Sequence, residues 1–231
     1  MHPLLNIGIR AARRAGDIII RNINRLDSIK VTSKGRNDFV SEVDRQAEAD
    51  IIETIRRSYP EHAFLAEESG RQGDSEFLWI IDPLDGTTNY LHGFPVFAVS
   101  IAVAHRDRLE HAVIYDPMRQ ELFTATRGVG AQLDGRKIRV SSQRNLESAL
   151  IGTGFPFRGK ETWLDSYMPM LKAVIASTAG VRRPGAASLD LAYVAAGRLD
   201  GFWELGLQPW DIAAGSLLVQ EAGGIVTSLS G

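Results

Sequence analysis

The feature that most constrains this chain is the apolar run Phe77-Leu-Trp-Ile-Ile81, which reads as a buried strand. It ends in Asp82-Pro83-Leu84-Asp85-Gly86 and so delivers two carboxylates, three residues apart, to its carboxyl end on a turn. Two hydroxyls, Thr87 and Thr88, follow. Hard cations take several oxygen ligands, and a phosphate takes backbone N–H donors at a helix start. The stretch offers both.

Composition narrows the reading. The 231 residues are 44% hydrophobic and 23% charged, enough for one large domain or two lobes with a shared core. A formal net charge of −2 gives no general nucleic-acid footprint. Cysteine is absent, which excludes disulfides, thiolate nucleophiles and zinc–thiolate sites. Arg10, Arg13, Arg14, Asp17 and Arg21 interrupt the apolar residues of the first helix, so no signal-peptide core appears. No run approaches the roughly 18 apolar residues of a membrane span. The expected location is cytoplasmic, without membrane contact.

Along the chain, residues 4–23 carry apolar side chains at helical spacing. Residues 26–40 read as a polar, turn-prone loop. Ser41 opens a second helix as its N-cap, with Asp44 at the third helical position, and Pro60 follows the helix end. The strand His62 to Ala66 leads to Glu67-Glu68. After the central strand, Phe94 to Ala104, Glu110 to Tyr115 and Glu121 to Ala125 read as strands of an antiparallel meander, with a hairpin signal at Asp134-Gly135. The second half is expected as a strand at 150–154, a helix at 162–177, a helix at 188–196 closed by Gly197, a strand at 201–204 and a helix at 211–222 closed by Gly223. Gly223-Gly224-Ile225-Val226-Thr227 reads as a turn and a new strand, an odd place for a domain to stop, and suggests a truncated C-terminus. The fold class is α+β: two mixed or antiparallel sheets with helices between and outside them. The lobes expected are 1–145, carrying metal and phosphate, and 146–231.

Glu67, Asp82 and Asp85 each follow or end an apolar strand, so all three can point into one cleft. Three carboxylates there repel one another unless a cation neutralises them. An all-oxygen donor set selects Mg²⁺ or Mn²⁺ over Zn²⁺. Taken singly, each acid is equally a turn residue or helix cap. Asp211 begins a helix and is either its cap or a further ligand from the second half. Gly86-Thr87-Thr88 is either a plain turn or a phosphate cradle, and it lacks the Gly-Lys-Thr of a P-loop. Asp44 completes a capping box or orients Thr87. Arg182-Arg183 reads as surface charge. Glu204 is an edge-strand acid or a hydrogen-bonding partner for a polyol. No Gly-x-Ser-x-Gly supports a serine hydrolase.

The longer motifs carry a resemblance. Trp79-Ile-Ile-Asp-Pro-Leu-Asp-Gly-Thr-Thr-Asn89 and Trp210-Asp-Ile-Ala-Ala-Gly-Ser-Leu-Leu-Val-Gln-Glu-Ala-Gly-Gly224, with Glu67-Glu68-Ser69, Tyr115-Asp-Pro-Met-Arg119 and the segment Leu189 to Arg198, resemble the inositol monophosphatase family, most closely its bacterial SuhB-type branch. The resemblance implies a layered αβαβα sandwich, two or three Mg²⁺ per subunit, lithium sensitivity and a homodimer. It implies metal ligation by Glu67, Asp82, the Leu84 carbonyl, Asp85 and Asp211, and a third cation near Glu67 and the loop at Lys34 to Asp38. By the same resemblance Asp85, Gly86 and Thr87 contact phosphate, Thr87 paired with Asp44 helps activate water, and Glu67 holds the cation that lowers that water's pKa. Arg182, Gly185, Ala187, Glu204 and Asp211 fall on the substrate side. The family's Gly-Ser/Thr-Ala-Ala pattern departs here to Gly185-Ala186-Ala187-Ser188, a hydroxyl moved by two places. The family also continues with a further strand and helix. The expected activity is Mg²⁺-dependent hydrolysis of a small polyol phosphate, inositol 1-phosphate first among them. The alternative is an interaction protein of transcription antitermination that contacts RNA polymerase and Nus factors.

Overall fold

The computed structural model describes residues 2–28, 31–35, 38–156 and 161–231. Helix α1 (Pro3–Asn22) turns Leu4, Leu5, Ala11, Ala12, Ala15 and Ile19 to one buried face. Pro3 suits its first turn, where an N–H would have no partner. Where a polar loop was expected, Val31–Gly35 (β1) and Asp38–Ser41 (β2) pair as an antiparallel hairpin. Helix α2 (Glu42–Arg56) starts with the expected capping box: Ser41 Oγ accepts the Val43 and Asp44 amides, and Asp44 accepts the Ser41 amide at 2.9 Å.

Ala63–Ala66 (β3), Gly70–Gln72 (β4) and Phe77–Asp85 (β5) follow, then the short helix α3 (Thr87–Leu91). Next come Ala98–His105 (β6), Arg108–Asp116 (β7), Glu121–Thr126 (β8), Gly130–Leu133 (β9) and Arg136–Lys137 (β10). Together β3–β10 form an eight-stranded sheet in the order β10-β9-β8-β7-β6-β5-β3-β4. All its pairings are antiparallel except β3 with β5. The Asp134-Gly135 hairpin forms as expected, both residues having positive φ (49° and 77°), the conformation a two-residue turn requires.

The second half supplies Leu150–Thr153 (β11), α4 (Leu164–Ser177), Gly180–Arg182 (β12), α5 (Ala187–Ala195), Gly201–Trp203 (β13) and α6 (Pro209–Glu221). The sheet β12-β11-β13 is parallel throughout, a correction to the mixed or antiparallel expectation. Helices connect its successive strands, as parallel pairing requires. Helices α1 and α2 cover one face of the large sheet, α5 and α6 lie between the two sheets, and α4 packs outside β12. The layers are therefore αβαβα.

The alternation of β5 explains the packing. Trp79 and Ile81 enter the core beneath α1 and α2, while Ile80 faces the core shared with α5 and α6. That second core joins residues on both sides of position 145, Phe123 and Ile114 meeting Leu189 and Leu217. The strand expected at residues 225–227 does not form. The Gly224 amide turns back to the Val219 carbonyl at 2.8 Å, and Ile225 is left 86% exposed.

His111 on β7 is buried against the His2 ring and hydrogen-bonds Thr126 Oγ1 at 3.0 Å. Burial, then His2, lowers its pKa from 6.5 to about 4, with Glu110 opposing. The unfolded chain therefore binds this proton first, and stability falls as pH drops through that window. Chemical denaturation at pH 7, 5.5 and 4 should show a loss in the wild type that is shallower in His111→Phe; parallel losses would refute it.

Candidate active site

The site is made by an irregularity. Strand β5 pairs with β6 regularly as far as Asp82 opposite Ser100, and the next pair is Asp85 opposite Ala98. Three steps on β5 meet two on β6, a β-bulge beside a proline that has no N–H for the ladder. In a regular strand, residues three apart face opposite sides. The extra residue turns Asp82 and Asp85 toward the same cavity. The Leu84 amide donates to Asp82 Oδ1 at 3.0 Å. Gly86 follows with φ 94°, and a Cβ there would lie 2.8 Å from the Val96 carbonyl oxygen, so the turn admits glycine alone.

Three further segments meet this turn. Glu67 follows β3, its amide bonded to the Ile81 carbonyl at 3.1 Å, so the β3–β5 pairing puts it at the same sheet end. Asp211 sits in the first turn of α6 and accepts the Gln208 amide at 2.6 Å; it is a cap and it also lines the cavity. Asp44 is fully buried. Thr87 Oγ1 lies 2.8 Å from Asp44 Oδ1 and 3.0 Å from the Leu84 carbonyl oxygen, one proton between two acceptors. Four residues along α2, Glu48 accepts the Glu68 amide at 2.8 Å, beside Glu67.

The cavity measures about 330 Å³. Glu67, Asp82, Leu84, Asp85, Gly86 and Thr87 form one wall; Gly154, Phe155, Arg183, Gly185, Ala187, Glu204 and Asp211 form the other. Arg182, expected on the substrate side, does not line it: its guanidinium is exposed and donates to the Val181 carbonyl at 3.0 Å. Arg183 does line it, its guanidinium 5.2 Å above the Phe155 ring. Gly154 and Phe155 carried no sequence signal for the site; strand β11 ends at the cavity, and only tertiary pairing shows it. Of the loop at Lys34 to Asp38, expected near a third cation, Arg36 and Asn37 lie outside the described residues, and Lys34, Gly35 and Asp38 belong to the β1–β2 hairpin. A larger depression of about 660 Å³ outside α2 is lined by Arg45, Glu48, Arg56 and Glu68 among others. Its charges are in part engaged, Arg57 with Glu53 and Arg56 with Gln72, and it lacks the carboxylate cluster.

A model of the inositol monophosphatase family matches residues 1–231. The chain belongs to the inositol monophosphatase family. It is 58% identical to a Pseudomonas aeruginosa protein named Nus factor SuhB, covering 100% of this chain and 87% of that one. The crystal structure of the extragenic suppressor protein SuhB from Bartonella henselae superposes with a TM-score of 0.93 at 47% identity, over 96% of this chain and 86% of that one. Inositol monophosphatase from Anabaena superposes with a TM-score of 0.84 at 42% identity, over 95% and 81%.

The family's name fits the electrostatics. Burial pushes the Asp82 carboxyl well above its usual range, and Glu67, Asp85 and Asp211 add repulsion in that order. Asp85 is pushed up to about 7 by burial and then by Asp211, against the hydrogen bonds of Ser188. Asp44 is raised by burial. Below them Asp190 is pushed up to about 9 by burial, then by Asp85 and Glu204, and its Oδ1 has no partner. Among the described residues no three acidic or histidine side chains already converge as a finished coordination sphere. The donor chemistry nonetheless fits hard divalent cations: all oxygen, excess negative charge, and Asp82, Asp85 and Asp211 each anchored through one oxygen to a backbone amide.

Glu204 depends on a neighbour's missing side chain. A Cβ on Gly154 would lie 1.9–2.1 Å from the Glu204 carboxylate, while Gly154 does not have a left-handed φ. Gly154→Ala should fold and displace Glu204 from the cavity wall, seen in the variant's crystal structure. An undisturbed Glu204 there would refute the packing argument.

Proposed function

We propose that the protein hydrolyses a small polyol phosphate monoester, inositol 1-phosphate first, with Mg²⁺. The observation that carries this is a single cavity walled by Glu67, Asp82, Asp85 and Asp211 and floored by the Gly86–Thr87 turn. Those four carboxylates and the Leu84 carbonyl would hold two or three cations. Bound there, such cations supply Lewis acidity, neutralising phosphoryl charge and activating water.

The chain's own residues do the positioning. Asp44 accepts the Thr87 hydroxyl proton at 2.8 Å, leaving the Thr87 oxygen to accept from an attacking water; Glu67 stands on the same wall. The Gly86 and Thr87 amides offer donors to phosphate oxygens. Arg183, held over Phe155, brings positive charge to the opposite wall, the role first assigned to Arg182. Glu204 accepts a polyol hydroxyl, and Gly185 and Ala187 keep the wall shallow. The same reading includes lithium sensitivity and a homodimer.

Asp82→Asn should remain folded and lose at least about tenfold in turnover, since a lost ligand costs no less than a lost supporting group. The assay is phosphate release from inositol 1-phosphate, glycerol 2-phosphate and fructose bisphosphate, with and without Mg²⁺. A near-normal rate in the variant at saturating Mg²⁺ would overturn the assignment.

A second reading has its own support. Relatives at 55–58% identity are named Nus factor SuhB, so we also propose contact with RNA polymerase and Nus factors, independent of catalysis. Asp82→Asn should then still be retained in a pull-down with polymerase. Failure of both variant and wild type to bind would end this reading.

A further inference from the structure

Helix α5 begins without a cap of its own. Its N-cap residue is Ala186, which offers no side-chain acceptor, and such a position is ordinarily filled by Ser, Thr, Asp or Asn. The acceptor arrives from far back in the chain. Asp85 Oδ2 takes the Ser188 amide at 2.7 Å and the Ser188 hydroxyl at 2.5 Å, and the Ala187 backbone donates to the same carboxylate. Asp85 is thus the cap of α5 and a wall of the cavity at once. Ser188 is wholly buried, so its hydroxyl does not reach solvent or a substrate. This is where the displaced hydroxyl of Gly185-Ala186-Ala187-Ser188 has gone.

We propose that Ser188 is a positioning residue for the cation site, clamping Asp85 in the orientation from which it binds the metal. The inference rests on the metal reading above. Asp85 shares the cavity with Asp211, and repulsion between two carboxylates favours a swing of Asp85 away from it. Its cap bonds to α5 oppose that swing, and the hydroxyl supplies a charge-assisted bond that the backbone cannot replace. Because the bond joins β5 to α5, it ties the large sheet to the second half at the cavity wall. Groups that orient a ligand in this way typically set metal affinity by about ten- to a hundredfold.

The probe is Mn²⁺, titrated into the full chain and followed by the electron paramagnetic resonance of the free ion. Ser188→Ala should bind Mn²⁺ about tenfold more weakly and need correspondingly more Mg²⁺ for half-maximal turnover, with a smaller change in kcat at saturation. Wild-type Mn²⁺ affinity in this variant would overturn the proposal. Should Ser188→Ala fail to fold, the double variant Ala186→Ser/Ser188→Ala gives α5 an N-cap hydroxyl while still lacking the clamp. Weak Mn²⁺ binding by the folded double variant supports the proposal, and wild-type binding defeats it. If the wild type itself binds no Mn²⁺, the metal reading falls and this inference falls with it.

Discussion

Four carboxylates stand around one small cavity, and their mutual repulsion is the constraint that the surrounding architecture answers. Bringing like charges together in a buried place costs several kcal/mol unless hydrogen bonds or a cation compensate. Each anchored acid meets that cost locally. Asp82 takes an amide from its own turn, Asp85 the first turn of α5, and Asp211 the amide of Gln208. The fold supplies amides at these places because strand ends and helix starts meet there. The αβαβα layering brings two helix N-termini, those of α5 and α6, against the end of β5.

The larger elements were legible in the sequence because they follow from periodicity. Helices α1 and α2, the meander from β6 to β10 and the helices of the second half are visible in apolar spacing and in capping residues such as Ser41 and Gly197. What periodicity lacks is irregularity and neighbourhood. The bulge after Asp82 is written in Pro83, but only the register with β6 shows that it turns Asp85 to the side of Asp82. The hairpin at β1 and β2 was hidden by polar residues, because a two-stranded edge needs no apolar alternation. The parallel order of the small sheet is a fact of connection, invisible in any one strand.

The site divides along the same line. The wall formed by Glu67 and the turn from Asp82 to Thr87 is contiguous enough in sequence to read. The opposite wall is assembled from the ends of β11, β12 and β13, and there a shift of one residue changes the answer. Arg182 closes β12 with its side chain outward, and the next residue, Arg183, enters the cavity. Two adjacent arginines cannot be told apart by composition, and the choice is made by which way the strand leaves its last pair.

Helix α2 carries Asp44 and Glu48 one turn apart on a single buried face. The first grips Thr87 and the second grips the backbone beside Glu67. These partners lie on either side of β5 in the chain, yet both hang from one rigid rod. Any rocking of α2 would carry both sides of the site with it in step, so the spacing between them is held by the pitch of a helix and not by either loop.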